Sequence, residues 1–185
     1  YGGRGIGRID GKVVFVPYTA PGDVARVRIT AEKKGFSEGT LVDLITPSPI
    51  RQEPLCPVYG VCGGCQLQHI KYPDQVRLKQ GILEETLKRV GGVEVAAYDQ
   101  PIPSLDFNYR CRAHFHVSKN GWGFYESLSH KVVDINACPL LHERVNETFL
   151  TIKDALSKDS AGITGLDIGV SQTEKGAIPS DSAVA

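Results

Sequence analysis

The stretch "CPVYGVCGGC" sets three thiols, Cys56, Cys62 and Cys65, within ten residues of a glycine-rich loop. A disulfide uses two sulfurs and strands the third, so the pattern points to metal ligation rather than crosslinking. The missing donor is expected at Cys138, in "DINACPLLHE", completing a C-x5-C-x2-C set with a distant C-P. Gly63 and Gly64 are expected to permit backbone angles closed to other residues, turning the sulfurs of Cys62 and Cys65 toward one centre. Pro57 and Pro139 each follow a cysteine and are expected to hold it extended, with one amide fewer to satisfy.

Structural zinc normally shows two tight cysteine or histidine knuckles. Here one pair is tight, a third cysteine lies near it and the fourth is far along the chain. Three-plus-one ligation by cysteine fits a [4Fe–4S] cluster better, although the dense ferredoxin run C-x2-C-x2-C-x3-C-P is not present. On spacing, iron–sulfur leads, zinc stays open, and unligated structural thiols rank third. The fifth cysteine, Cys111 in "YRCRAHFHV", is expected on the core face of a strand with Ala113, Phe115 and Val117, as a buried thiol. The opposite face carries Arg110, Arg112, His114 and His116, which reads equally as an RNA-facing stripe and as a solvated strand face.

Other basic residues gather near the start. Arg4, Arg8 and Lys12 flank "YGGRGIGRIDG", and Lys33 and Lys34 mark a turn further on. The glycine run lacks the G-x-G-x-x-G spacing of a dinucleotide loop. A flexible basic turn entering a β-barrel is the better account, with phosphate contact and ordinary surface charge both open. Acidic and basic residues balance at 21 each, but residues 1–92 hold 13 basic against 9 acidic side chains. The first half is thus the better partner for an anion.

The elements that must position these groups follow from pattern. "KVVFVPY", "VARVRIT" and "TLVDLIT" read as short strands, with "EKKGFSEG" as a hairpin turn, and together they suggest a small barrel or sandwich. "TPSPIRQEP" reads as an extended linker. "DQVRLKQGILEETLKRVGG" is a helix capped by Asp74, with Val76, Leu83, Leu87 and Val90 on one face and Gly91-Gly92 as the stop. Residues 108–136 read as antiparallel strands with an Asn120-Gly121 hairpin. A second helix is expected from near Pro139, with Leu141, Val145, Phe149, Ile152 and Leu156 inward, and "ITGLDIGVSQ" as a further strand. No apolar run spans a membrane, and an odd, clustered cysteine set favours a reducing, cytoplasmic compartment. The absence of Met and the start at Tyr1 suggest a piece of a longer chain.

Several of these pieces resemble one family. "GRGIGRIDGKVVFVPYTAPGD" resembles the opening of a TRAM domain, a small RNA-binding β-barrel. "SPIRQEPLCPVYGVCGGCQLQHIKY" resembles the linker and cluster loop of the iron–sulfur RNA (uracil-5-)-methyltransferases. "NYRCRAHFHV" and "GFYESLSHKVVDINACPLL" resemble the start of their central domain. The resemblance implies an α+β, mainly β, chain in three parts. These are a TRAM-like barrel over 1–48, a linker, cluster loop and helix over 49–92, and the start of a central RNA-binding domain over 93–185. It implies that Cys56, Cys62, Cys65 and Cys138 hold a [4Fe–4S] cluster. It makes Arg4, Arg8, Lys12, Lys33, Lys34, Arg110, Arg112 and His114 the candidate RNA contacts.

In that family a cysteine thiolate adds to C6 of a uracil, C5 takes a methyl group from S-adenosylmethionine, and a carboxylate removes the C5 proton. The resemblance assigns that machinery to a C-terminal domain. No catalytic or S-adenosylmethionine-binding residue is therefore expected here, and the chain alone is expected not to methylate RNA. It implies RNA as partner, with ribosomal RNA favoured over tRNA, and a structural cluster joining distant segments. Two rivals differ in class: a zinc-dependent RNA-binding module without activity, and an electron-transfer iron–sulfur protein.

Overall fold

A computed structural model describes residues 3–97, 99–156 and 162–170. The chain divides into two compact units that do not follow chain order. One comprises Tyr1–Pro54 with Cys65–Pro103, the other Leu55–Gly64 with Ser104–Ala185. The architecture is the α+β, mainly β, one expected from the sequence. Among the described residues no helix is long and apolar enough to cross a membrane.

The first unit holds strands β1 (Arg4–Ile9), β2 (Lys12–Pro17), β3 (Val24–Glu32) and β4 (Phe36–Thr46), in the order β1-β2-β4-β3. Asp10 and Gly11 both take positive φ between the paired Ile9 and Lys12. That is the conformation a two-residue Asp-Gly hairpin requires, so the glycine-rich start is a strand and a tight turn rather than a flexible lead. β2 pairs antiparallel with β1 and parallel with β4. The sheet is barrel-like, but its recorded strand pairs do not close a ring. β4 begins at Phe36, so the second half of the "EKKGFSEG" turn is strand. Phe36 is drawn in by an edge contact with Phe15, ring centroids 5.5 Å apart.

One buried ion pair ties the linker to this unit. Arg51 grips Asp23 with two parallel bonds of 2.8 Å and donates to the Tyr18 carbonyl at 2.7 Å. Asp23 also accepts the Ala20 and Ser48 amides at 2.6 and 2.9 Å. Its side chain is 3% exposed. Burial pushes its carboxyl pKa up, but the Arg51 hydrogen bond, the two amides and the guanidinium charge together outweigh that and hold it below 3.8. A carboxyl lowered on folding contributes stability that is complete above its unfolded pKa and is lost as pH falls through the folded one. Chemical denaturation should therefore show the parent losing stability relative to Asp23→Asn as pH falls below about 4. Parallel pH profiles for the two would remove this contribution.

Helix α1 (Tyr72–Arg89) has Pro73 in its first turn. Asp74 does not cap it; it pairs with Arg77 instead. The expected apolar face is not buried: α1 holds no buried residue, and Leu83 and Val90 are largely exposed. Gly91 and Gly92 do end the helix, with Gly92 at positive φ.

The second unit holds β5 (Arg112–Ser118), β6 (Gly121–Tyr125), β7 (Val132–Asp134), α2 (Glu143–Leu156) and β8 (Gly165–Gly169). Its sheet is antiparallel throughout, in the order β7-β6-β5-β8. The β5–β6 turn residues are Lys119 and Asn120, and Gly121 already pairs with Ser118. One sheet face and α2 enclose a core of Ala113, Phe115, Val117, Trp122, Ile135, Leu141, Val145, Phe149 and Ile168. Phe115 stacks on Phe149 with centroids 4.0 Å apart. Cys111 falls outside this core. It precedes β5, half-buried, with its thiol near the Tyr109 carbonyl, which corrects the core-thiol expectation. "GAIPSDSAVA" lies outside the described residues.

Candidate metal centre and nucleic-acid interface

Each Cys-Pro pair opens the same kind of turn. The Cys56 carbonyl accepts the Tyr59 amide at 3.1 Å, and the Cys138 carbonyl accepts the Leu141 amide at 3.0 Å. Proline at the second position fixes φ for such a turn. Pro57 and Pro139 thus bend the chain directly after each cysteine.

The first two cysteines of the loop are built into the second unit. Val58 packs on its core. The Cys62 amide donates to the Val58 carbonyl at 2.9 Å, Gly63 N–H donates to the Tyr125 carbonyl at 2.9 Å, and Ser127 N–H donates to the Val61 carbonyl at 3.1 Å. A Cβ at Gly63 would lie 3.1 Å from Ser127 Cα and 3.3 Å from the Tyr125 oxygen. Gly63 is therefore favoured by close approach rather than by its dihedral, since neither glycine of the Cys62–Cys65 link has positive φ. The unusual backbone expected there occurs instead at Gly60, φ 86°.

Cys138 is fixed from two sides. Its amide donates to Asn146 Oδ1 at 2.9 Å, and Asn146 Nδ2 donates back to its carbonyl at 3.0 Å. The preceding strand segment adds Asn108 N–H to the Pro139 carbonyl and Arg110 N–H to the Leu140 carbonyl, each at 2.9 Å. Burial pushes the Cys138 thiol pKa up. The Leu140 and Leu141 amides oppose this, while Cys56 and Cys62 lie near enough to push it further by charge. Three of the four expected donors thus belong to the second unit, one of them more than seventy residues further along the chain. Cys65 belongs to the first unit, where Gln68 Nε2 donates to its sulfur at 3.2 Å.

Among the described residues no group of three or more His, Cys, Asp or Glu side chains converges as a formed metal site. The donors themselves suit a thiophilic centre: none of the five cysteines is in a disulfide, and three of the four expected donors belong to one unit. A bound cation would reverse the upward push on Cys138, because a coordinating thiol is deprotonated.

The predicted RNA contacts separate into engaged and available groups. Arg4 pairs with Glu38 at 3.1 Å and lies over the Phe15 ring, Lys12 pairs with Glu32 at 3.5 Å, and Arg8 donates to the Gly11 carbonyl. Such exposed pairs are weak, worth about 0–1 kcal/mol, and a phosphate can replace them. Lys33 and Lys34 stand exposed at the β3–β4 turn and make no ion pair among the described residues. In the second unit Arg110 and Arg112 are exposed, Arg110 donating to the Arg112 carbonyl at 3.1 Å. His114 is 3.1 Å from Asp167. Sequence reasoning missed the Asn146 clamp, the Arg51–Asp23 pair and the rings of Tyr125 and His130 beside His116. Only the last had a signal, in the aromatic character of "GFYESLSH".

Comparison with known proteins gives the relationships. Residues 1–42 match the TRAM domain model. An RNA methyltransferase of Aquifex aeolicus is 41% identical over 157 residues, 84% of this chain and 37% of that protein. The 23S rRNA (uracil(1939)-C(5))-methyltransferase of Legionella pneumophila is 34% identical over 181 residues, 93% of this chain and 41% of that protein. The crystal structure of Pyrococcus abyssi tRNA (uracil-54, C5)-methyltransferase with S-adenosyl-L-homocysteine superposes with a TM-score of 0.54. It is 32% identical and covers 84% of this chain and 37% of that one. The chain thus spans about two fifths of the length of the relatives it matches.

Proposed function

The chain carries a TRAM domain and belongs, over most of its length, with the RNA uracil-C5 methyltransferases; on that premise we propose that it forms the RNA-docking and [4Fe–4S]-bearing portion of such an enzyme. On this reading S-adenosylmethionine binding and methyl transfer belong to the part of the relatives that the chain does not align with. The observation that carries the reading is this alignment across 84–93% of the chain. We favour 23S rRNA as substrate, since that is the named substrate of the relative aligned over 93% of the chain. A tRNA substrate is the second reading, favoured by the name of the solved relative.

Cys56, Cys62, Cys65 and Cys138 would hold the cluster, and full ligation by cysteine leaves it a structural rather than a Lewis-acid role. The odd, clustered cysteine set fits a reducing, cytoplasmic setting. The chain's own work is to present cations and unpaired surface to RNA. Replacing Lys33 and Lys34 together by Ala should weaken RNA binding several-fold and flatten the salt dependence by about one unit of slope per lost phosphate contact. Titrations of a 23S rRNA fragment and of tRNA across a salt series test this. No RNA binding by the parent chain would overturn the reading, and tighter tRNA binding would move the substrate to the second.

A further inference from the structure

The open face of the second sheet carries a row of rings that the metal centre does not use. His114 and His116 alternate on β5 with the buried Ala113, Phe115 and Val117. His116 stacks on Tyr125 of β6, centroids 3.7 Å apart and planes 13° from parallel. His114 meets His116 edge-on at 4.8 Å, and His130 meets Tyr125 edge-on at 5.1 Å. The row therefore runs His114, His116, Tyr125, His130, with the two end rings exposed. The positions that pair with His116 are both glycine, Gly123 on β6 and Gly165 on β8. A Cβ at Gly165 would lie 2.9 Å from the His114 ring, so glycine there leaves the ring its place.

We propose that this row is a base-stacking surface for single-stranded RNA, with His114 and His130 as the rings that unpaired bases cover. The inference rests on the RNA reading above and adds a site to it. Charge favours this occupant. Arg110 and Arg112 are exposed beside His114, and Lys131 follows His130. The acidic neighbours are partnered: Asp167 faces His114, and Glu126 lies 3.7 Å from Lys131. The central imidazole is suited to stacking as a neutral ring. Burial and the neighbouring His114 and His130 all push the His116 pKa down. Aromatic faces accept any base, and removing one typically costs a measurable part of single-strand affinity.

The test is a titration of the chain with a labelled oligouridylate of roughly 12 nucleotides and with a duplex of the same length. Both end rings are exposed, so the His114→Ala/His130→Ala double variant should fold. It is expected to bind the single strand about 10-fold more weakly and the duplex almost unchanged. The His114→Phe/His130→Phe variant should restore most of the affinity, and the His114→Lys/His130→Lys variant should not. Rescue by lysine but not phenylalanine would make the face merely cationic and overturn the proposal. An alanine variant that binds the single strand like the parent would overturn it while the RNA reading stands. Dissociation of a dimer by that variant without change in affinity would assign the face to a second copy. No binding of either RNA by the parent would remove both readings.

Discussion

Chain carrying Cys138→Ser is expected to emerge from anaerobic purification colourless, with its iron reduced from about four atoms per chain to near zero and its acid-labile sulfide lost with it. The second unit should then be cut readily by protease. The reasoning starts from the fold. Cys138 lies on a turn clamped by Asn146, beside Cys56 and Cys62 in the same compact unit. Without a cation, burial and mutual repulsion of charge disfavour thiolate at this spot. A metal that binds only the folded arrangement contributes its binding free energy to folding. Serine removes the soft donor while preserving size. Cys111→Ser serves as the control, since that thiol is outside the group, and it should keep the full iron content. Zinc in the parent in place of iron would assign the zinc alternative. Equal stability of parent and Cys138→Ser would end the structural role.

Phe149→Ala is expected to lower the stability of the second unit by about 3–5 kcal/mol, read from the shift of its denaturation midpoint. Phe149 has no exposed surface and stacks on the equally buried Phe115 at 4.0 Å. Truncation loses the transfer free energy of the ring and leaves a cavity that the flanking strand and helix cannot both close. The effect should reach the metal centre. Val145 and Phe149 seat α2 on the sheet, and α2 carries the Asn146 that fixes Cys138. Iron retention on dilution with a chelator should therefore fall together with stability. Phe149→Leu, which fills most of the space, should cost less in both. A Phe149→Ala protein as stable as the parent would show that α2 is not what holds this unit together.

The sequence by itself determined most of the elements and singled out the candidate donors. Alternation placed Ala113, Phe115 and Val117 inward on β5, because side chains of a strand must take opposite faces. The spacing of Leu141, Val145 and Phe149 gave the buried side of α2 for the corresponding helical reason. The C-x5-C-x2-C pattern with its distant Cys-Pro named the thiols without any coordinates. Three-dimensional packing decided the rest. α1 has a helical pattern too, weaker and more polar than that of α2, and buries nothing, because a periodicity states which residues share a face and not whether anything covers it. Gly63 is favoured by the close Ser127 and Tyr125 backbone, more than sixty residues away, and no local rule contains that distance. The Arg51–Asp23 pair, the Asn146 clamp and the row from His114 to His130 are likewise contacts between segments. Local propensity carries no information about which segments meet; that is settled by which arrangement buries the most apolar surface while leaving each polar group a partner.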